Sequence, residues 1–270
     1  MIESDDLEKL LENMVQWYGY DFTGYARASL KRRVDSFYSK GKHTSLAEMQ
    51  NRLSNDPAYF MHFVEEITVN VTEMFRDAGF YKTLREQIIP VLATYPFIRI
   101  WHAGCSTGEE VYSMAILLKE AGLLHKSILY ATDLNQGVLA KAKSGIFPGA
   151  AMQQYSENYI RSGGTADFSS YYTANYNNAK FDAELSAKMI FSSHNLAADA
   201  SFNEFQLILC RNVLIYFDNV LQGRVLQLFD KSLDSLGFLA LGSKESLRFS
   251  GIASHYKQLD NKEKIWRKNR

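Results

Sequence analysis

Cysteine and proline are scarce in this chain: two cysteines, Cys105 and Cys210, and four prolines in 270 residues. The cysteines stand far apart with no Cys or His at metal-ligand spacing, so neither a disulfide framework nor a zinc site is expected. They read as reduced thiols in apolar surroundings. No apolar run approaches the roughly 18 residues of a membrane span, and the acidic start MIESDDLEKLLE lacks the charged-then-apolar order of a signal peptide. A cytoplasmic protein without membrane insertion is therefore expected. Net charge is missing as well. Thirty Lys+Arg stand against 30 Asp+Glu, which argues against nucleic acid as the main partner, since such partners demand a basic surplus. Internal repeats and low-complexity tracts are also lacking.

What is present is an ordinary globular composition, 46% hydrophobic and 22% charged, over about two domain lengths. Through residues 5–80 the signals are helical. Leu7, Leu10, Leu11, Met14, Val15 and Tyr18 recur at the i, i+3, i+4 spacing of one buried face, with Asp5 as the expected N-cap and Glu8 as its box partner. A second helix is predicted over residues 27–40, burying Leu30, Val34 and Phe37, and two more over 45–53 and 59–69. From Ile98 short apolar runs alternate with helical patterns: FIRIWHAG, GEEVYSMAILLKEAG, SILYATDLN, QGVLAKAKSG. That order is the signature of a parallel sheet with right-handed crossovers. It pauses over residues 149–188, where Gly163-Gly164, Asn177-Asn178 and several tyrosines suggest an insertion carrying a small β-hairpin that packs on the sheet edge and adds little to the core. It resumes with MIFSSHNL, FQLILCRNVLIYF, a helix over 219–236, GFLALGS and a closing strand ending in KIWRKNR. The expected fold is α/β: a helical N-terminal domain and linker over residues 1–90, then a doubly wound domain over 91–270 with the insertion at about 150–190.

An open parallel sheet binds ligands beyond the carboxyl ends of its strands, so the first strand-to-helix turn is the place to look. Here it reads Ala103-Gly104-Cys105-Ser106-Thr107-Gly108-Glu109-Glu110, small residues that admit a ligand to the backbone, followed by a helix N-terminus. It matches neither the G-x-G-x-x-G of dinucleotide sites nor the G-x-x-x-x-G-K-[ST] of P-loops. Two carboxylates stand where a phosphate would be repelled, which favours a cationic or neutral ligand. The second strand ends in Asp133, at the place where an acid accepts hydrogen bonds from ribose hydroxyls. A positively charged nucleoside points to S-adenosylmethionine. NAD on an atypical turn stays open on these residues alone. His102 and His194, near the strand ends, read as structural, and Tyr216 within VLIYF reads as a core aromatic unless a site claims it.

Five ordered stretches narrow the choice: Thr68-Val-Asn70-Val-Thr72-Glu-Met-Phe75-Arg76-Asp77, Trp101-His-Ala-Gly-Cys-Ser-Thr-Gly-Glu-Glu110-Val-Tyr112-Ser113, Ala131-Thr-Asp133, Asn195-Leu196, and Cys210-Arg211-Asn212-Val-Leu-Ile-Tyr216-Phe217. They closely resemble the CheR family, the chemotaxis receptor methyltransferases that esterify receptor glutamates with S-adenosylmethionine and release S-adenosylhomocysteine. The resemblance covers nearly the whole chain, helical domain included, and implies a Rossmann-like methyltransferase domain. It implies that Asn70, Thr72 and Arg76 approach the methionine end of the cofactor together with Glu110, beside Gly104 of the turn. Asp133 takes the ribose, Asn195 and Leu196 lie by the adenine, and Arg211 and Asn212 close the next strand end. It also implies that Arg27, Lys31, Arg32 and Arg33 meet an acidic helical substrate. Met74 stands where many members have Phe and Val111 where many have Pro, both tolerable in volume, and the insertion over 161–188 is longer than the compact ribbon with which relatives grip a receptor tail.

No catalytic triad or paired acid is visible, and the implied reaction explains why. A glutamate with a pKa near roughly 4.3 is already ionised at neutral pH, so its carboxylate attacks a sulfonium methyl without a general base. The enzyme supplies approach and alignment, with Arg76 expected to orient the reactants and Tyr216 to line the transfer channel. The expected partner is the cytoplasmic methylation region of a chemoreceptor or a related acidic helical protein, met by a monomeric enzyme. Two other classes stay open: a non-catalytic cofactor-binding module in a signalling assembly, and a nucleic-acid methyltransferase. The second is weakened by zero net charge and by the lack of an Asn/Asp-Pro-Pro-Tyr-like motif.

Overall fold

The structure, a computed structural model, describes residues 2–248 and 250–269. Four helices open the chain: α1 (Ser4–Tyr18), α2 (Arg27–Lys40), α3 (Leu46–Asn55) and α4 (Pro57–Ile67). Their apolar faces, including Leu10, Met14, Val34, Met49 and Phe63, close a core of their own. Helix α3 starts after Ser45, which accepts from the Glu48 amide, whereas α4 lies two residues earlier than expected because Asp56 caps it by accepting from the Tyr59 amide ahead of Pro57. The first helix departs from expectation. Its N-cap is Glu3, no side chain caps it, and Asp5 sits inside the first turn, where the helix dipole favours an acid without any cap bond. Glu8 closes no box and instead meets Arg27 of α2 at 2.5 Å.

A short helix α5 (Ala78–Thr83), a π-helical turn (Leu84–Ile88) and α6 (Ile89–Leu92) lead into the sheet. The α/β pattern then runs β1 (Ile98–Ala103), α7 (Glu109–Glu120), β2 (Ser127–Asp133) and α8 (Gln136–Ser144). The insertion holds β3 (Ile146–Pro148), α9 (Met152–Arg161), β4 (Tyr172–Asn175), β5 (Asn178–Phe181) and α10 (Ala183–Ser186). The pattern resumes as β6 (Met189–Ser193), β7 (Phe205–Cys210), α11 (Asn219–Ser232), β8 (Leu233–Leu241), β9 (Tyr256–Asp260) and β10 (Ile265–Lys268). Seven strands form the main sheet in the order β6-β2-β1-β7-β8-β10-β9. The first five are parallel, and β10 and β9 add antiparallel. The strand order reverses between β1 and β7, so a crevice opens at their carboxyl ends. No helix among the described residues is long and apolar enough to cross a membrane.

Two expectations are corrected, and the closing strand is found as expected. Helix α11 stops at Ser232 because Leu233 already pairs with Phe205 as the start of β8. The closing strand is one arm of the β9–β10 hairpin, and Arg270 of the KIWRKNR run lies outside the described residues. The insertion is more than an edge ribbon. It contains a helix and a three-stranded sheet, β3-β5-β4, and its Tyr155, Tyr159, Phe168, Tyr171 and Phe181 enter the main core. Tyrosine-rich sequence reads as surface, but these rings bury their bulk and place their polar ends on partners: the Tyr159 and Tyr171 hydroxyls both donate to Glu120 at the end of α7. The tip of the β4–β5 hairpin is different, with Tyr176 fully exposed. Phe181→Ala should therefore cost about 3–5 kcal/mol, whereas Tyr176→Ala should stay within about 0.5 kcal/mol of wild type. Urea unfolding with similar midpoints for the two variants would contradict a core role for the insertion.

Candidate cofactor and active site

Residues 70–77 carry the chain from the helical domain across the crevice. Phe75 and Asp77 adopt left-handed backbone, φ 52° and 59°, a conformation that a bulky aromatic takes only when its surroundings impose it. Here they do. The Phe75 ring is buried against Tyr81 and Tyr159, with centroids 5.0 and 5.2 Å away. Its N–H donates to Ser113 Oγ at 2.9 Å, and Asn158 of the insertion donates to the neighbouring Met74 carbonyl at 3.0 Å. The turn so held brings Asn70, Thr72 and Arg76 to the crevice wall, where Arg76 donates to the Val71 carbonyl at 3.2 Å.

The turn after β1 forms the crevice floor. Gly104 has φ 79°, and a Cβ there would stand 2.5 Å from Val213 Cγ2, so only glycine fits. The Ser106 amide donates to Asp133 Oδ2 and the Asn135 amide to Oδ1, both at 2.9 Å. Burial outweighs these bonds and raises the Asp133 carboxyl above its ordinary value. Ser106 Oγ is buried with no hydrogen-bond partner among the described residues. The two acids of the first helical turn part company. Glu109 turns away to Thr107 Oγ1 at 2.6 Å and the Tyr155 hydroxyl at 3.4 Å, and burial raises its carboxyl. Glu110 alone faces the crevice.

Glu110 lies 2.9 Å from His102 Nδ1 and 3.4 Å from Arg211 Nη1. Burial alone would raise its carboxyl, but the His102 hydrogen bond and charge and the Arg211 charge together bring it below the ordinary carboxylate range. His102, read from sequence as structural, is thus tied directly to a crevice residue. Arg211 is nearly enclosed. It donates to Asp77 Oδ2 at 2.6 Å and stacks on the Phe80 ring at 3.9 Å. The loop beyond it, with Asn212 at φ 62°, is gathered by the buried Glu245, which accepts from the amides of Gly242 at 2.5 Å, Asn212 at 3.1 Å and Ile215 at 3.3 Å.

One crevice therefore collects Asn70, Thr72, Arg76, Gly104, Glu110, Asp133, Asn195, Leu196, Arg211, Asn212 and Tyr216. The basic cluster of α2 does not act as one face. Arg33 joins the crevice, donating to the Ile67 carbonyl at 2.8 Å with its guanidinium 5.3 Å over Tyr216. Arg27 is engaged by Glu8 and Lys31 by Asp35, while Arg32 is exposed. The sequence reading missed Tyr25 and Tyr81 as lining residues and Glu245 as the support of the last loop. No local pattern marks Tyr25 or Tyr81, and Glu245 is recognisable only once its three amide donors are brought together.

A crevice at the reversal of a parallel sheet, with a strand-end acid beside an unpartnered serine hydroxyl, fits a nucleoside ligand, and the fold and site define an S-adenosylmethionine-dependent methyltransferase. The chain belongs to the CheR methyltransferase family: residues 5–68 match its all-alpha domain and residues 70–265 its S-adenosylmethionine-binding domain. It is 46% identical over 264 residues to the Pseudomonas putida protein named Cher3, covering 98% of this chain and 97% of that one. It is 34% identical over 232 residues to the chemotaxis protein methyltransferase of Listeria innocua, covering 85% of each. A solved S-adenosylmethionine-dependent methyltransferase from Geobacter sulfurreducens, in complex with S-adenosylhomocysteine, is similar at TM-score 0.35 and 12% identity, over 67% of this chain and 54% of that one.

The raised pKa of Asp133 sets a pH dependence. Were a ribose to bind at Asp133, its hydroxyls would donate to the ionised carboxylate, and affinity for S-adenosylhomocysteine should then be full at neutral pH and decline on acidification, starting above the ordinary carboxylate value of about 4. Asp133→Asn should weaken binding at neutral pH by about tenfold or more and flatten the profile. Calorimetry between about pH 5 and pH 7.5 checks this, and an unchanged slope in the variant would assign the titration to another group.

Proposed function

We propose that this protein transfers the methyl group of S-adenosylmethionine to glutamate side chains of a chemoreceptor, or of a related acidic helical signalling protein, and forms methyl esters there. It would do so in the cytoplasm as a monomer. The observation that best supports this reading is the pair of guanidinium groups, Arg33 and Arg76, that share the crevice with Tyr216. A carboxylate is attracted to that wall and needs no base, whereas an amine would arrive protonated, be repelled and have to lose a proton first.

The cofactor, when bound, supplies an electrophilic methyl group. The chain's own residues do the rest. Asp133 and Ser106 take the ribose side, Asn195 and Leu196 the adenine side, and Asn70, Thr72, Glu110, Arg211 and Asn212 the methionine end. Glu110, ionised by His102 and Arg211, is matched to an ammonium group and not to a second carboxylate. Arg76 orients the incoming glutamate, and Tyr216 narrows its approach so that the attack is in line. On the outer side of α2, exposed Arg32 steers an acidic helix toward the opening.

Arg76→Ala should abolish methyl transfer in a chain that still folds. Tyr216→Phe keeps the ring and should lower kcat about tenfold while leaving S-adenosylhomocysteine affinity within about twofold. Radiolabelled cofactor, receptor-containing membranes and release of methanol by base provide the assay: esters release methanol, methylated amines do not. Arg32→Glu should raise the substrate KM most at low salt. Base-stable label in the wild-type product would sink the ester assignment.

A further inference from the structure

The helical domain sends one side chain into the crevice whose part has not been assigned. Residues 24–26 run antiparallel to residues 216–218: the Ala26 amide donates to the Tyr216 carbonyl and the Asp218 amide to the Gly24 carbonyl, each at 2.8 Å, and Tyr25 bridges Phe217. The segments approach so closely that a Cβ on Gly24 would lie 2.8 Å from Leu221 Cδ2. The backbone of Tyr25 is therefore fixed on the methyltransferase domain as firmly as on its own. Its ring packs between Phe22 at 4.8 Å and Phe217 at 4.9 Å, touching both the helical core and the core behind β7.

What remains uncovered of Tyr25 opens into the crevice beside Asp133 and Leu134. Its hydroxyl makes no hydrogen bond to any described residue. Burial, and then the Asp133 carboxylate, push the phenol's pKa up, so it is a neutral donor facing an acid that it does not reach. Tyr25 is half-buried and lines the crevice, so its phenol keeps a donor free for whatever occupies that space. A hydroxyl suits the gap, since it accepts from the phenol and donates to the carboxylate.

We propose that Tyr25 is a cofactor contact given by the helical domain, its hydroxyl donating to a ribose hydroxyl of S-adenosylmethionine whose own proton goes to Asp133. This rests on the placement of the ribose at Asp133. The cofactor is then held from both domains, and the helical domain contributes to sugar recognition as well as to meeting the substrate.

The test is calorimetry with S-adenosylhomocysteine and its 2′,3′-dideoxy counterpart on wild type, Tyr25→Phe and Asp133→Asn, with ligand-free thermal unfolding recorded for each. Tyr25→Phe keeps the ring between Phe22 and Phe217 and should melt as wild type does. It should lose about three- to tenfold in affinity for S-adenosylhomocysteine and nothing for the dideoxy compound. Equal losses on both ligands, or no loss on either, would overturn the proposal. If Asp133→Asn weakens S-adenosylhomocysteine binding while Tyr25→Phe does not, the ribose placement stands and Tyr25 alone falls. If neither does, the placement falls as well.

Discussion

A single enclosed guanidinium organises the crevice. Arg211 leaves the end of β7 and bonds to Asp77 from the interdomain turn and to Glu110 from α7, while its flat face rests on Phe80 of α5. Two segments distant in sequence, residues 77–80 and α7, thus share one cation. The arm to Asp77 reaches a partly exposed carboxylate and is screened accordingly, so the weight rests on Glu110, which is largely enclosed beside the buried His102. Removing one partner of a buried ion pair costs about 3–5 kcal/mol, because the other charge is left uncompensated. The same residue therefore sets the local charge and the relative positions of the crevice walls.

Around this cation the backbone is held in conformations it would not choose. Phe75, Asp77, Ser106 and Asn212 all have positive φ, and each is fastened by a side chain from elsewhere: Phe75 by Ser113, Asp77 by Arg211, Ser106 by Asp133 and Asn212 by Glu245. Strain of this kind, of order 1–3 kcal/mol per residue, persists only where the surroundings over-determine it. The walls are accordingly set before a ligand arrives, and binding need not order them.

Much of this was legible in the sequence, for physical reasons. The 3.6-residue apolar spacing marked the four opening helices, and the alternation of apolar runs marked β1, β2, β7 and β8, because burial of one face or two leaves such a pattern. Asp133 and the turn after β1 stood where the topology of an open sheet places a site, while Asn70, Thr72, Arg76, Asn195, Leu196, Arg211 and Asn212 were reached only through the resemblance of their motifs to the family. What escaped reading depends on distant contacts. Tyrosines of the insertion look polar one at a time, and only the fold shows Tyr159 and Tyr171 sharing Glu120. Asp5 and Glu8 had the spacing of a capping box, yet Arg27 competes for Glu8 with a full charge. The end of α11 was misplaced because Leu233–Leu236 suits a helix and a strand equally well in isolation, and the pairing with β7 decides.

The strand order also bears on how the protein comes into being. Neighbouring β1 and β7 join residues about a hundred positions apart, Asp77 waits for Arg211 across 134 positions, and Thr83 hydrogen-bonds Asp260 across 177. On the ribosome the helical domain can close its own core early, but the crevice lacks one wall until β7 and the loop to Phe217 have emerged. A chain stopped before β7 lacks Arg211 and the wall that it organises. Cofactor binding during synthesis would thus report the emergence of β7 and its loop, and a product terminated earlier would leave the apolar residues of β1 without their β7 neighbour.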